Sequence, residues 1–552
     1  MKLNFIGSLI FCLSICTSYA QRTVGLLQAD DPNADGYILF APIASTNTWL
    51  IDQCGHEVHQ WGSTYRPGQS VYLLEDGSLL RAGNAANTIF LAGGRGGIIE
   101  KLDWNSNVIW SYSISSATEC QHHDICPMPN GNVLAIVWEL KTVAQSIAEG
   151  RNPALLGTRL WSEKIMEIQP QGLTSGNIVW EWHLWDHLIQ DFDSSKNNFG
   201  VVNQHPELIN INYNASSTAD WIHSNAIDYN GTTDQILLSN HAFNEIIVID
   251  HSTTTLEAAG HSGGNFGHGG DLLYRWGNPE SYNRGTAADE KLFGQHNAQW
   301  IKPGYPKAGK IIVFNNGIGR PAGNYSTIDI IQPPIDSTGN YSIDSVNAFL
   351  PDTLYWNYTA TNPTDFYGIN ISGVNPLVNG GYSICVGPSG RFFTIDSLKN
   401  TVWNYISPVQ GTTFISQGTA PSLNAIFRCR FYPSAYPGFT GQTLIAGNEI
   451  ELNPLLPSLC DSLLLLDLAE NNPEVSFSFY PNPTKGEITI FNEVSEISTL
   501  NLFDLNGRLV FQSMLTEPRQ KLNVGTIAAG IYFARIQNSK GVEVLKLVVE
   551  NK

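Results

Sequence analysis

Charge is scarce in this sequence. Only 14% of its 552 residues are Asp, Glu, Lys or Arg, and 49 acidic residues outnumber 30 basic ones, for a formal charge of −19. So little positive charge leaves no surface for a phosphate backbone, which argues against nucleic acid as a partner. Long apolar runs are missing as well. Past the first twenty or so residues no uninterrupted run is long enough to span a bilayer. Helical periodicities are few, whereas 50 Gly, 14 Trp and 21 Tyr favour strands and tight turns. No histidine follows His296.

The chain opens "MKLNFIGSLIFCLSICTSYAQR". Lys2, an apolar run and the small-x-small triplet Ser18-Tyr19-Ala20 predict a signal peptide over residues 1–20, with Gln21 starting the mature chain. The run is short for a membrane anchor, and Ile15 before Cys16 is bulky for a lipoprotein site. Cys12 and Cys16 leave with this segment. Six cysteines remain, namely Cys54, Cys120, Cys126, Cys385, Cys429 and Cys460, and an even number in an oxidising compartment favours disulfides. Cys120 and Cys126, close in sequence, are expected to pair with each other, ahead of zinc ligation. The remaining pairings are not readable.

The main body repeats. "VYLLEDGSLLRAG" followed by "GGIIEKLDWNSNVIWSYSI" is one unit, and "HDICPMPNGNVLAIVWE" followed by "EKIMEIQPQGLTSGNIVWEWHL" is the next. Each unit has a Gly turn, an alternating strand, a second turn and a strand with an aromatic near its end. Trp110, Trp182, Trp276, Trp356 and Trp403 mark that place in five units. A sixth unit over "GYILFAPIASTNTWLIDQCGHEVHQWGS" ends at Trp61, and "NAIFRCRFYP" reads as an orphan strand that closes the ring. The prediction is an all-β chain, a six-bladed β-propeller over residues 21–455 followed by a small β-sandwich. The insertions 183–219 and 258–295 are expected as loops on one face.

Counting back eight residues from the first turn glycine of each unit (Gly77, Gly131, Gly231, Gly304, Gly380) reaches Gln69, His123, His223, His296 and Ser372. In a propeller the innermost strands line the channel, so these positions converge near its axis. Three histidines in one register predict a functional funnel. His122 points the other way on alternating geometry and is read as structural. Three imidazoles could also hold zinc with an open position, though no carboxylate shares the register. Arg275 is read as a blade-edge ion pair, and His241, His251, His261 and His268 are given no role.

Residues 456–472 form a proline-containing linker, and 473–552 change character to short strands between Gly, Asn and Pro turns. Tyr480-Pro481-Asn482-Pro483, Gly486, "DLNGR" at 504–508 and Gly530-Ile531-Tyr532 together resemble the C-terminal sorting domain of the type IX (Por) secretion system. The resemblance implies export across the outer membrane by that machinery, then release or surface attachment. An ordinary binding sandwich is the plain alternative.

"DWIHSNAIDYN", "GGDLLYRWGNP", "QHNAQWIKPG" and "VFNNGIGR" resemble the bacterial arylsulfotransferase family over roughly residues 25–450. The resemblance implies a six-bladed propeller that moves a sulfuryl group from an aryl sulfate to a phenol through a sulfated histidine, with no nucleotide cofactor and no metal. His223, His296 and Arg320 match the family pattern. The family's nucleophilic histidine comes later in the chain, where this sequence has Ser372. His296 or His123 is therefore expected as covalent acceptor or base, with Ser372 only hydrogen-bonding the sulfate. Arg320 would bind the sulfuryl oxygens. The competing readings are a surface propeller that binds a glycan or aromatic ligand, and a zinc hydrolase built on the three histidines.

Overall fold

The computed structural model describes every residue except 1–21, 32–33, 215–218, 337–338, 345–347, 456–457, 461–476, 493–496, 505–508, 539–540 and 551–552. The expected signal peptide, most of the expected linker and most of "DLNGR" lie outside the described residues.

From Gly25 to Tyr432 the long strands form six antiparallel sheets, five of four strands and one of five. In one of them Pro67–Leu73, Leu79–Asn84, Gly97–Leu102 and Val108–Ser113 pair in chain order. The innermost strands Pro67–Leu73, Glu119–Pro127, Ser224–Asn230, His296–Trp300 and Gly373–Pro376 neighbour one another in that sequence. Ile426–Tyr432 completes the circle between the last and the first of them. This is the radial layout of a β-propeller, in which closure hides sheet edges that would otherwise be exposed. The ring is fastened at two places. Ile426–Tyr432 pairs with Tyr37–Pro42 as the inner strand of the first sheet, and Gly25–Ala29 pairs with Thr401–Ile406 as the outer strand of the last.

The repeated tryptophans tie neighbouring sheets together. Four of them donate the indole N–H to a backbone carbonyl of the following sheet: Trp110 to Ser175 at 2.9 Å, Trp182 to Gly270 at 2.7 Å, Trp276 to Pro351 at 2.8 Å and Trp403 to Gln53 at 2.6 Å. The rings fill the wedge between sheets while the N–H satisfies a carbonyl that burial would otherwise orphan. Trp356 lacks this bond and instead packs on Tyr382 of the next sheet, ring centroids 4.7 Å apart. Arg275, expected as an ion pair, is fully buried and grips Glu245 with two hydrogen bonds of 2.9 and 3.0 Å.

The cysteine expectation is corrected. Cys120 and Cys126 are free, buried thiols at opposite ends of one strand, Glu119–Pro127. Six residues of extended chain span about 20 Å, far beyond the Cα separation a disulfide tolerates. The disulfide present joins Cys54, in a turn of the first sheet, to Cys460, 406 residues away. It pins the chain leaving the propeller back onto its first sheet.

The C-terminal unit packs a three-stranded sheet (Phe477–Tyr480, Glu487–Asn492, Arg519–Asn523) with a four-stranded one (Leu509–Leu515, Ser498–Phe503, Gly530–Asn538, Gly541–Val549). Alternate residues Ile488, Ile490, Leu500, Leu502, Ala534 and Ile536 form its shared core. That alternation is what a two-sheet sandwich requires.

Candidate active site

The inner strands share a local irregularity. Gln69, His123, His223, Asn297 and Ser372 all adopt positive φ, at 94°, 49°, 57°, 52° and 87°. In four of the five sheets the inner-strand ladder slips at this place: between Pro67 and Val71, opposite Ala135 and Val137, between Ser224 and Ala226, and between His296 and Gln299. Such bulges re-aim a side chain out of the alternating pattern. A left-handed non-glycine residue costs on the order of 1–3 kcal/mol, and such strain gathers at functional sites. Here the redirected side chains of His123 and His223 converge with that of His296 near the axis.

The convergence is a closed circle of rings. His123 meets His223 at 4.4 Å between centroids, His223 meets His241 at 5.2 Å, and His241 meets His296 at 5.2 Å. Phe427, on the closing strand, lies 6.4 Å from His296 and 6.1 Å from His123 and completes it. His241 follows the second strand of its sheet and opens a short 3-10 turn, His241–Phe243. Its backbone N–H donates to the His223 carbonyl at 3.2 Å, which sets the two side chains next to each other. Gly94 lies flat against the His123 imidazole, where a Cβ would come within 2.0 Å of the ring, so only glycine fits there.

Hydrogen bonds give each imidazole a different state. His223 Nδ1–H donates to Asp220 Oδ2 at 2.5 Å, and Asp220 Oδ1 accepts the Trp138 indole N–H at 3.1 Å. His296 is held at both nitrogens, with Nδ1–H donating to Asn316 Oδ1 at 2.9 Å and Nε2 accepting from the Ile371 amide at 3.2 Å. His123 shares one proton with His122, Nδ1 to Nδ1 at 2.9 Å, and His122 Nε2 lies 2.8 Å from Glu163 Oε2. His122 also stacks on Trp138 at 3.9 Å. Among the described residues no hydrogen bond reaches the ring nitrogens of His241.

Burial pushes His123 and His296 well below the ordinary histidine range, with neighbouring imidazoles adding to it. Burial, helped by the charge on His223, lowers His241 to about 3. His223 goes the other way. Burial works to lower it, but the Asp220 carboxylate and its hydrogen bond outweigh that and hold it above its usual value. His123 and His296 are 3% and 2% exposed, while the His223 side chain is 23% exposed and His241 is half-buried. The open side of the circle therefore presents one imidazole favoured toward its proton by Asp220 and one that burial keeps neutral.

The profile described as Arylsulfotransferase (ASST) matches residues 43–402. The chain belongs to the arylsulfotransferase family. A second profile, described as Secretion system C-terminal sorting domain, matches residues 478–550, so this arylsulfotransferase-family chain carries the signal for type IX export to the cell surface or the medium. No curated protein matches the chain. Among solved structures, a protein of unknown function from Bacteroides caccae is 11% identical with a TM-score of 0.38, covering 72% of this chain and 99% of that one. A selenomethionine-substituted virginiamycin B lyase from Staphylococcus aureus is 10% identical with a TM-score of 0.33, covering 72% and 87%. Likenesses this distant carry no argument about chemistry.

Within the arylsulfotransferase-family domain, the residues matched from sequence separate into two groups. His123, His223 and His296 come together. Arg320 packs among aromatic rings: its guanidinium lies over Tyr325 and Phe293 at 4.7 and 5.1 Å and donates to Thr327 Oγ1 at 3.3 Å. Phe293 precedes Gly294, whose Cα faces His241, so Arg320 sits one residue removed from the circle. Ser372 is fully buried, and its hydroxyl is committed to the backbone, accepting from the Gly387 amide at 3.0 Å and donating to the Asn370 carbonyl at 3.1 Å. Arg428, on the closing strand, is buried and paired with Asp124 of an inner strand at 2.8 Å. Sequence reasoning missed both it and His241.

Among the described residues, two groups bring three metal-ligating atoms within 4.8 Å of one another: Asp52, Cys54 and His56, and His187, His261 and Asp271. Cys54 is committed to its disulfide. The funnel histidines are not such a group, and His296 has no lone pair left to offer.

Proposed function

We propose that the imidazole circle transfers a sulfuryl group from an aryl sulfate to a phenol, without a nucleotide cofactor. The observation that carries this reading is the pairing of His223, hydrogen-bonded to Asp220 and raised above its usual value, with His241, lowered by burial, at 5.2 Å on the open side of the circle. Two titratable groups with environments that push them apart make an acid and a base or nucleophile. A sulfuryl group, like a phosphoryl group, passes through a loose transition state in which positioning and charge stabilisation dominate. His223 donates a proton to the departing phenolate and takes one from the incoming phenol. Phenols have a pKa of about 10, so both transfers need such a group near neutrality. His296 and His123 fix the circle, and Arg320 attracts the anion at the rim.

A binding-only propeller is the second reading. It draws on a cavity of about 1200 Å³ lined in part by Tyr72, Trp110, Tyr305 and Arg430. The two readings separate in one assay. Incubation with a chromogenic aryl sulfate and a colourless phenol should release the coloured phenolate and form the new ester in equal amounts. Absence of transfer across donors with good and poor leaving groups would leave only binding.

A further inference from the structure

We infer that His241 is the residue that takes the sulfuryl group, replacing the late-chain histidine this sequence lacks. The inference rests on the sulfuryl-transfer reading of the site.

The geometry leaves little choice among the four rings. His296 has both nitrogens occupied, by Asn316 and by the Ile371 amide. His123 is nearly sealed, with Gly94 against its ring and His122 on Nδ1. His223 has Nδ1 bound to Asp220, whose carboxylate favours the protonated ring over the bare lone pair a nucleophile needs. Of the two partly open rings, His223 and His241, only His241 has neither ring nitrogen hydrogen-bonded among the described residues, and it stands between His223 and His296. Its position is fixed by the backbone bond to His223 and by the short turn His241–Phe243, which Asn244 ends in the left-handed conformation at φ 53°. Burial keeps the ring neutral, so its lone pair is available across the physiological range.

The step balances without a further reactant. A lone pair on a His241 ring nitrogen forms the N–S bond. The S–O bond to the aryl group breaks, its electron pair going to the phenolate oxygen, which takes the proton from His223. In the second half the acceptor phenol returns a proton to His223 as its oxygen bonds to sulfur. The N–S bond breaks, and its pair returns to His241.

The test uses the unmutated protein, exposed to an aryl sulfate without any phenol acceptor. Digestion under alkaline conditions that spare N–S bonds, followed by fragment-ion mapping, should locate one sulfuryl group on His241. A group on His123, His223, His296 or Ser372 overturns this assignment and leaves the transfer reading standing. No phenolate release from any donor removes both. A His241→Ala variant should lose turnover by about 10³-fold or more, and added free imidazole should restore part of it, which a merely structural role would not allow. A variant that keeps more than about a tenth of turnover overturns the assignment.

Discussion

His223 and Asp220 meet at 2.5 Å, Nδ1 to Oδ2, and this contact divides the histidines of the site by charge. It lifts one imidazole above its usual range while burial pushes its neighbours His123, His241 and His296 down.

Replacing Asp220 by Asn removes the counter-charge and keeps an oxygen for the Trp138 indole. Burial then lowers His223, and the protonated form needed by the leaving phenolate disappears at lower pH. The alkaline limb of kcat/KM for the donor should move to lower pH, with a loss on the order of 10²-fold above neutrality. An unmoved alkaline limb would place the proton elsewhere.

Stability should fall in mild acid. A group whose folded pKa is lowered binds protons more readily in the unfolded chain, so stability is lost as pH drops below the unfolded value of about 6.5. His123, His241 and His296 all have this sign. His223, raised, has the opposite one, and its contribution is complete below that pH and lost only as pH rises through its folded value. The net slope is therefore destabilising toward acid, at up to about 1.4 kcal/mol per pH unit for each lowered group. Urea unfolding midpoints between about pH 7 and pH 5 measure it.

Much of this site is legible in the sequence, and the part that is not has a physical reason. Counting from turn glycines reaches His123 and His223, whose left-handed backbone confirms their common place in the sheets. In the His296 sheet the left-handed residue is Asn297, one position on, so the register drifts there. His241 escapes the count because it does not lie on an inner strand. Hairpin pairing would have found it: Ser224 faces Asn240, so the residue outward from each is His223 and His241. Arg428 arrives on the closing strand, and only ring closure brings it to Asp124, 304 residues away. Arg320 matched a motif, and its guanidinium stacks on Phe293 and Tyr325.

The cysteines offer a covalent check. Peptide mapping should find Cys54 linked to Cys460, with Cys120 and Cys126 as thiols. Burial raises those thiols to about 11 and about 12, so alkylation in the native state should be slow and should become fast on unfolding.

Ser372 should matter for the fold rather than for chemistry. Ser372→Ala leaves the Gly387 amide and the Asn370 carbonyl without their buried partner. The expected cost is about 1–3 kcal/mol in unfolding free energy, with kcat nearly unchanged in the folded protein.

On the proposed mechanism a sulfuryl group passes through the imidazole circle as a covalent intermediate. Initial rates measured over a grid of aryl sulfate and phenol concentrations test it most directly. A covalent intermediate gives parallel double-reciprocal lines, with new ester formed in proportion to phenolate released. Intersecting lines would mean that donor and acceptor react directly in one ternary complex, and would contradict it.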